Sequence, residues 1–442
     1  MVILGLIISM IILIVFNLIT STFLMKNTHE MRWYKTYGGV GIDASMSLIQ
    51  TTDGGFALAG LTNSSGAGLF DMWLVKTDVN GVTQWSKTYG GIYDDGAFSL
   101  IQTNDGGYAL AGSTISPVTN RIDMWFVKID ANGLAQWNRT YGGVGEDGAF
   151  SLLQTTDGGY ALAGSTSSAG AGGMDMWLVK TDINGVAQWN KTYGGVGRDM
   201  AWVLLQTVDG GFALAGSTNS SGTGEHFMWL VKTDVNGLAQ WNRTYEGIGE
   251  FGVAAFQTVD GNYVLACNNR SDDIFVSLFN TFLVKTDVNG IPQWNQTYTD
   301  LFFIQFLGMS GPALIETMDG GIALVGLTFS KDLGSELPLE SVVIKTDVNG
   351  TIQWEKTFKG VEKEINIGFS LVQTTKREFI VAGSVITFSD DISDIVGSDI
   401  WMGKLVSETN QLIGLEILPI LIAICFVAKI WNQKRTIMKK YC

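Results

Sequence analysis

The sequence predicts an all-β, seven-bladed β-propeller with four-stranded blades, and three observations carry that expectation. The first is an internal repeat: Trp33, Trp85, Trp137, Trp189, Trp241, Trp294 and Trp354 follow one another at spacings of 52 residues four times, then 53 and 60. The second is punctuation, because the repeat unit holds four short apolar or alternating runs separated by turns that read Asp-Gly-Gly and Asp-x-Asn-Gly in most units. The third is composition: 55 Gly against 5 Pro, with no Gly-X-Y period, suits many tight turns between short strands.

Taken in order, the chain begins with an uncharged run from Val2 to Met25, long enough to cross a bilayer, so residues 1–25 are expected to be a signal peptide or signal anchor. A short strand, Trp33–Tyr37, follows. One repeat unit, starting at Ser47, reads SLIQTTDGGFALAGLTNSSGAGLFDMWLVKTDVNGVTQWSKTYGG. Its strands A to D are expected near Ala44–Thr51, Phe56–Leu61, Met72–Asp78 and Val82–Tyr89. Asn80-Gly81 predicts a two-residue C–D hairpin with positive φ at both central positions.

Six units carry all four strands. The seventh supplies strands near Phe369–Thr374, Phe379–Ser384 and Ile400–Val406, then runs into an apolar segment with no fourth strand. Trp33–Tyr37 is therefore expected to complete the last blade, so the propeller spans 33–406 and its closure removes exposed sheet edges. Residues 412–431 are expected to form a transmembrane or anchor helix, with Glu416 and Lys429 near opposite interfaces. Residues 432–442 form a basic tail.

Charge bears on location and partners. The formal net charge is −14, yet Lys429, Lys434, Arg435, Lys439 and Lys440 crowd the C-terminal end, so the body is more acidic still. Such a body repels phosphates and argues against nucleic-acid binding. The basic tail favours a cytoplasmic C-terminus and a propeller outside the cell membrane. The three cysteines, Cys267, Cys425 and Cys442, offer no disulfide framework. Asn-x-Ser/Thr sites at Asn63, Asn138, Asn190, Asn219, Asn242, Asn269, Asn295 and Asn349 are glycosylation acceptors on an external chain, although several arise from the repeat itself.

The strings TYGG-x-G-x-D-x-A, T-x-D-G-G-Y-A-L-A-G-S-T and D-M-W-L-V-K-T-D-x-N-G resemble the bacterial and archaeal beta-propeller repeat family over residues 33–406, most closely in the first four units. That resemblance implies the fold and a secreted or surface location, with no assigned activity. The apolar, basic-ended C-terminus is similar to archaeal sorting tails. The Asp-x-Asn-Gly-x-x-x-Trp string is also similar to the tryptophan-docking repeats of quinone-dependent dehydrogenases. There the Trp packs between blades, the structural role expected of Trp33, Trp85, Trp137, Trp189, Trp241, Trp294 and Trp354.

Candidate functional residues fall into three groups. Asp78, Asp130, Asp182, Asp234, Asp287 and Asp347 precede the Asn-Gly turns, where they serve the turn or, in a weaker reading, Ca2+; no other cofactor is implied. Asp43, Asp95, Asp147 and Asp199 precede strand A, while Asp71, Asp123 and Asp175 precede strand C. Both series lie on one face of the ring, as a cation-holding acidic rim or as carboxylates that satisfy their own turns. Leu301, Phe302, Phe303 and Phe306 stand in Thr299–Pro312, where other units have a short polar turn. This apolar loop either contacts a partner or packs on the ring.

Catalytic inventory is poor. His29 and His226 are the two histidines, and no phosphate loop, zinc cluster or Cys/His pair occurs. The expectation is a non-catalytic binding or adhesion module that meets a protein or glycan at the cell surface. The alternatives are a secreted carbohydrate-active enzyme using carboxylates on the loop face and a structural component of a surface layer.

Overall fold

In the A–B turn, Thr51 Oγ1 and the Gly55 N–H both donate to Asp53 Oδ1, at 2.5 and 3.0 Å, while Gly54 takes φ +83°. Only glycine adopts that φ without cost. Arg377 stands at the matching place near the C-terminal end with φ +62°. The C–D turn differs from the sequence expectation. Gly81 has positive φ (+74°), whereas Asn80 is absent from the positive-φ residues. Asp78 Oδ1 accepts the N–H groups of Asn80 and Val82, both at 2.8 Å, and the ladder slips one residue between Lys76 and Thr77. The connection is thus a bulged turn capped by Asp78 rather than a two-residue hairpin, because the carboxylate captures the two N–H groups a tighter turn would use.

These turns join the strands of blade 1, Asp43–Gln50, Phe56–Thr62, Asp71–Thr77 and Thr83–Tyr89, into one antiparallel sheet. The computed structural model describes residues 29–407 apart from 118, 221–224, 271–278, 300, 303–313, 330–338, 361–363 and 390–394. Within these residues seven blades are present; the expected strand bounds hold to about a residue in blade 1, whereas the blade 7 strands and the N-terminal strand run about four to five residues longer than expected at one end. The terminal segments 1–25, 412–431 and 432–442, with their expected helices, lie outside them.

Blade 2 comprises Asp95–Gln102, Tyr108–Ile115, Ile122–Ile129 and Ala135–Tyr141, and blade 3 repeats the pattern from Asp147. Blades 4 and 5 share one long strand, Ala239–Gln257. Its first half pairs with Phe227–Thr233 and its second with Tyr263–Arg270, so the two blades form a single seven-stranded sheet. In blade 6 the first strand is split into Leu301–Phe302 and Leu314–Glu316, both paired with Ile322–Phe329. Blade 7 is ordered Glu364–Gln373, Phe379–Phe388, Ile395–Ser407 and, at its outer edge, His29–Tyr37. The N-terminal strand therefore closes the ring, as the missing fourth strand requires.

The strand A elements of successive blades contact one another around the centre. A bulge after Ser45, Ala97, Ala149 and Gly368 turns the next serine toward the following blade. Thus Ser47 Oγ accepts Leu100 N–H at 3.3 Å, Ser99 Oγ accepts Leu152 N–H at 3.0 Å, Ser151 Oγ accepts Leu204 N–H at 3.0 Å, and Ser370 Oγ accepts Leu48 N–H at 3.1 Å.

At the rim, the strand D Trp of one blade lies over the turn glycine of the next. A Cβ on Gly81, Gly133, Gly185, Gly237, Gly290 or Gly350 would meet Trp33, Trp85, Trp137, Trp189, Trp241 or Trp294. The strand D tyrosine donates to the same glycine's carbonyl: Tyr37 to Gly81 at 2.7 Å, Tyr89 to Gly133 at 2.8 Å, Tyr141 to Gly185 at 2.6 Å. Trp33 and Tyr37 thus grip blade 1 as the other pairs grip their own neighbours, an inter-blade packing role for the Trp series. A Gly185→Ala protein should be about 1–3 kcal/mol less stable by calorimetry. Its φ is +72° and a Cβ would come within 2.6 Å of Trp137 Cζ3, so an unchanged melting temperature would refute this contact.

Candidate carboxylate cavity of blade 2

At one end of each early blade the register aligns an Asp of strand A, a Thr of strand B and an Asp of strand C. The sets are Asp43–Thr62–Asp71, Asp95–Thr114–Asp123 and Asp147–Thr166–Asp175. The strand A carboxylates are buried, and each commits Oδ2 to its own turn, while Asp43 Oδ1 and Asp199 Oδ1 have no partner. Asp43, Asp95, Asp147 and Asp199 accept the N–H groups of Gly39, Gly91, Gly143 and Gly195 at 2.9, 2.7, 2.9 and 2.9 Å. In blades 1, 3 and 4 the hydroxyls of Ser64, Ser168 and Ser220 donate to the same oxygens.

Each strand A carboxylate also stands beside a strand C carboxylate of the preceding blade, with a glycine in the gap. A Cβ on Gly90 would lie 1.9 Å from Asp71 Oδ1 and 2.7 Å from Asp95 Oδ2, and one on Gly142 would lie 2.3 Å from Asp123 Oδ1 and 2.8 Å from Asp147 Oδ2. Gly194 lies likewise between Asp175 and Asp199, and Gly38 between Asp399 and Asp43. The Tyr-Gly-Gly string thus permits a carboxylate pair at these blade junctions.

What the loops do for the strand C carboxylate differs between blades. In blade 1, Gly66 takes φ +116° and brings the N–H groups of Ala67 and Gly68 to Asp71 Oδ2 at 2.8 and 3.1 Å. In blade 3, Gly170 takes φ +113° and Ala171 N–H reaches Asp175 Oδ2 at 2.9 Å. Such successive N–H groups make a nest for an anion. Blade 2 has Ser-Pro-Val-Thr-Asn-Arg in that loop, with no glycine. Its N–H groups turn inward instead: Asn120 donates to Ser116 O and Ser116 to Arg121 O, both at 2.9 Å, and Thr119 to Ser116 Oγ at 3.4 Å. Asp123 Oδ1 is left buried without a hydrogen-bond partner, as are Asp94 Oδ1, the strand A oxygens Asp43 Oδ1 and Asp199 Oδ1, and Asp399 Oδ1 in strand C of blade 7.

Here a cavity of about 320 Å³ opens, lined by Gly90, Gly91, Asp95, Thr114, Ser116, Pro117, Asp123, Trp125, Asn138 and Thr140. Trp125 forms one wall, and its Nε1 donates to Asn138 Oδ1 at 3.5 Å. Burial raises the Asp123 carboxyl above the usual range, with Asp147 adding to it. Burial likewise raises Asp95, against hydrogen bonds from Thr114 and Gly91 and with help from Asp71 and Asp94.

The other candidates sit elsewhere. Leu301 is 2% exposed and packs in an apolar cluster with Leu283, Tyr298 and Leu324, while its carbonyl accepts Thr281 Oγ1 at 3.0 Å. Phe302 pairs with Leu327, and Phe303 and Phe306 lie outside the described residues. Asp130, Asp182, Asp234, Asp287 and Asp347 cap their turns as Asp78 does, each through Oδ1. Trp125, Thr114, Ser116 and Thr140 carry no binding motif in the sequence, where Asn138 stands only as a glycosylation acceptor. The available signal was the loss of glycine from a single B–C loop among four well-kept repeats.

No protein-family model matches the chain, and no curated protein matches it. Among solved structures it is similar to Sqt1 from Chaetomium thermophilum, at TM-score 0.44 and 13% identity over 80% of this chain and 97% of that one. It is also similar to the β-propeller domain of the Trilobed protease from Pyrococcus furiosus, at TM-score 0.40 and 8% identity over 81% and 94%. YCF48 bound to D1 peptide matches at TM-score 0.45 and 10% identity over 83% and 94%. Independently of these likenesses, the seven blades, two of them fused into one seven-stranded sheet, and their ring of inner strands identify the described region as a seven-bladed β-propeller.

Proposed function

We propose that the protein is a membrane-anchored, extracytoplasmic propeller of the bacterial and archaeal repeat type, acting as a non-catalytic binding or adhesion module. Its contact site is the blade-2 cavity on the D–A and B–C loop face. One observation carries this reading: backbone N–H groups of the B–C loop reach the strand C carboxylate in blades 1 and 3, whereas Asp123 Oδ1 has no donor at the place where the cavity opens. A partly buried carboxylate with an unpartnered oxygen lowers stability, and such departures from an otherwise self-consistent pattern concentrate at functional sites. The apolar N-terminal and C-terminal segments and the basic tail support membrane attachment.

Asp123→Asn tests the site through two readouts. Association of the full chain with native cell-envelope material, measured by co-sedimentation, should fall at least about fivefold. At the same time the melting temperature at pH 7 should rise by roughly 1–3 °C. The sign follows from the raised carboxyl of Asp123. A folded pKa above the unfolded value favours the fold below the unfolded pKa, and that contribution is lost as pH rises through the folded value. The asparagine's advantage should therefore shrink toward pH 4. Undiminished association would reject the site, and measurable glycan turnover by the wild-type chain would reject the non-catalytic reading.

A further inference from the structure

We infer, resting on the loop-face reading above, that the blade-2 cavity receives a single organic cation, the ammonium or guanidinium group of a lysine or arginine side chain on a partner protein. The first support is the charge arrangement. Asp95 and Asp123 line the cavity, Asp71 and Asp147 stand behind them across Gly90 and Gly142, and Asp94 adjoins Asp95 with its own orphaned oxygen. The basic residue of the loop, Arg121, is directed to Glu146 at 4.0 Å, and both side chains are about half exposed. The acids of the cavity thus have no built-in counterion from their own loop.

The second support is shape and lining. A volume of about 320 Å³ lies at the small end of ligand pockets, which run from about 300 to 1,000 Å³. That suits one long side chain or small amine better than a run of sugar rings. Trp125 and Pro117 give the cavity apolar walls, against which an aliphatic stem and a cationic head both pack favourably. Thr114, Thr140 and Asn138 supply oxygen acceptors beside the carboxylates for the remaining N–H groups.

The third support weighs against a bare metal ion. Ca2+ needs about six to eight oxygens at close range. Here Asp95 is engaged by Gly91, and among the described residues no group of three or more acidic, His or Cys side chains is placed to hold a metal. An entering organic cation would relieve the electrostatic penalty of burying Asp123 and Asp95 without displacing the turn hydrogen bonds.

The full chain is to be titrated with Nα-acetyl-lysine methylamide and Nα-acetyl-arginine methylamide, followed by ligand-observed NMR. Comparison probes are the uncharged norleucine and citrulline analogues, Ca2+, and diacetylchitobiose. The cationic amides should bind saturably and at least about tenfold more tightly than their uncharged analogues. Asp123→Asn should weaken them by about tenfold or more, and Trp125→Leu, a second and independent variant, should weaken them too. Asp175→Asn, at the committed position of blade 3, should leave the affinity unchanged. Absent saturable binding by the amides, or equal affinity for citrulline or norleucine, overturns the assignment. Binding of diacetylchitobiose or Ca2+ in place of the amides, lost in Asp123→Asn, overturns the ligand class but leaves the blade-2 site standing. Envelope association that survives both cavity variants removes the site itself.

Discussion

Deleting residues 33–38 should lower the melting temperature of the propeller by about ten degrees or more. The deletion removes Trp33 from its seat over Gly81, where a Cβ would lie 3.1 Å from the indole, and Tyr37 from its 2.7 Å hydrogen bond to the Gly81 carbonyl. It also removes Tyr34, which stacks on Trp401 at 5.9 Å with the rings 15° apart and donates to Asn366 at 3.2 Å. Tyr37 belongs to the apolar cluster that joins blade 7 to blade 1 through Leu48, Phe56, Val75, Ile400 and Met402, and Trp33 packs against it. Losing one large aromatic from such a cluster costs about 3–5 kcal/mol, a large share of a typical domain's 5–15 kcal/mol. The strand Ile395–Ser407 would in addition become an unpaired edge. Calorimetry of the deleted and parent chains decides the matter, and coincident melting would reject this closure.

Asp157→Ala should destabilise the fold by about 1–2 kcal/mol, more than Lys180→Met does, the half-exposed carboxylate partly screened by water while the ammonium is buried. Lys180 is the strand C lysine of blade 3, its side chain 6% exposed, and its ammonium meets Asp157 at 2.9 Å, Thr181 O at 2.9 Å and Gln188 Oε1 at 3.3 Å. Removing the carboxylate strands a buried positive charge among neutral acceptors, whereas methionine removes the charge and keeps most of the volume. The same arrangement recurs as Lys76–Asp53, Lys128–Asp105, Lys232–Asp209 and Lys345–Asp319. Burial opposes ionisation of Asp157, but hydrogen bonds from Thr155, Lys180 and Gly159 outweigh it and hold the carboxyl at about 2. A folded pKa below the unfolded value gives stability that is complete above the unfolded pKa and is lost as pH falls through the folded value. The wild type should therefore weaken between about pH 4 and pH 2, and Asp157→Ala should show a shallower acid limb. Denaturant melts at pH 7 and at pH 3 test both statements, and an Asp157→Ala protein no weaker than Lys180→Met would overturn the first.

Much of the architecture is local, which is why it is legible in the sequence. Asp-Gly-Gly and Asp-x-Asn-Gly mark turns through backbone conformations that few residues adopt, and a period of 52 residues carries one blade into the next. The closure followed because one unit lacked a fourth strand and Trp33–Tyr37 matched it. The lysine of D-M-W-L-V-K-T-D was passed over because a charged residue in an alternating strand ordinarily faces water. Here its counterion comes from the A–B turn 23 residues earlier, as in Lys76 with Asp53. The turn type was misjudged for a related reason: Asp78 acts through its side chain, and the Asn-Gly signal does not register that. The blade-2 cavity was hidden because the repeat retains Asp123 itself. What changes is where the neighbouring N–H groups point, a property of Ser116 to Arg121 as a loop rather than of any one residue.

The pairing of His29–Tyr37 with Ile395–Ser407 also orders events in time. Each early blade can assemble from residues made within a few dozen positions of one another, whereas the Tyr34 hydroxyl and Asn366 are 332 residues apart. During synthesis the first strand must remain unpaired until nearly the whole ring has emerged, because its partner strand is among the last to be made. Closing so long a loop is entropically slow, and an early strand kept waiting is available to the wrong edge, including that of another nascent chain. Refolding of this protein should therefore be more sensitive to chain concentration than a chain permuted so that Trp33–Tyr37 follows Ile395–Ser407 directly.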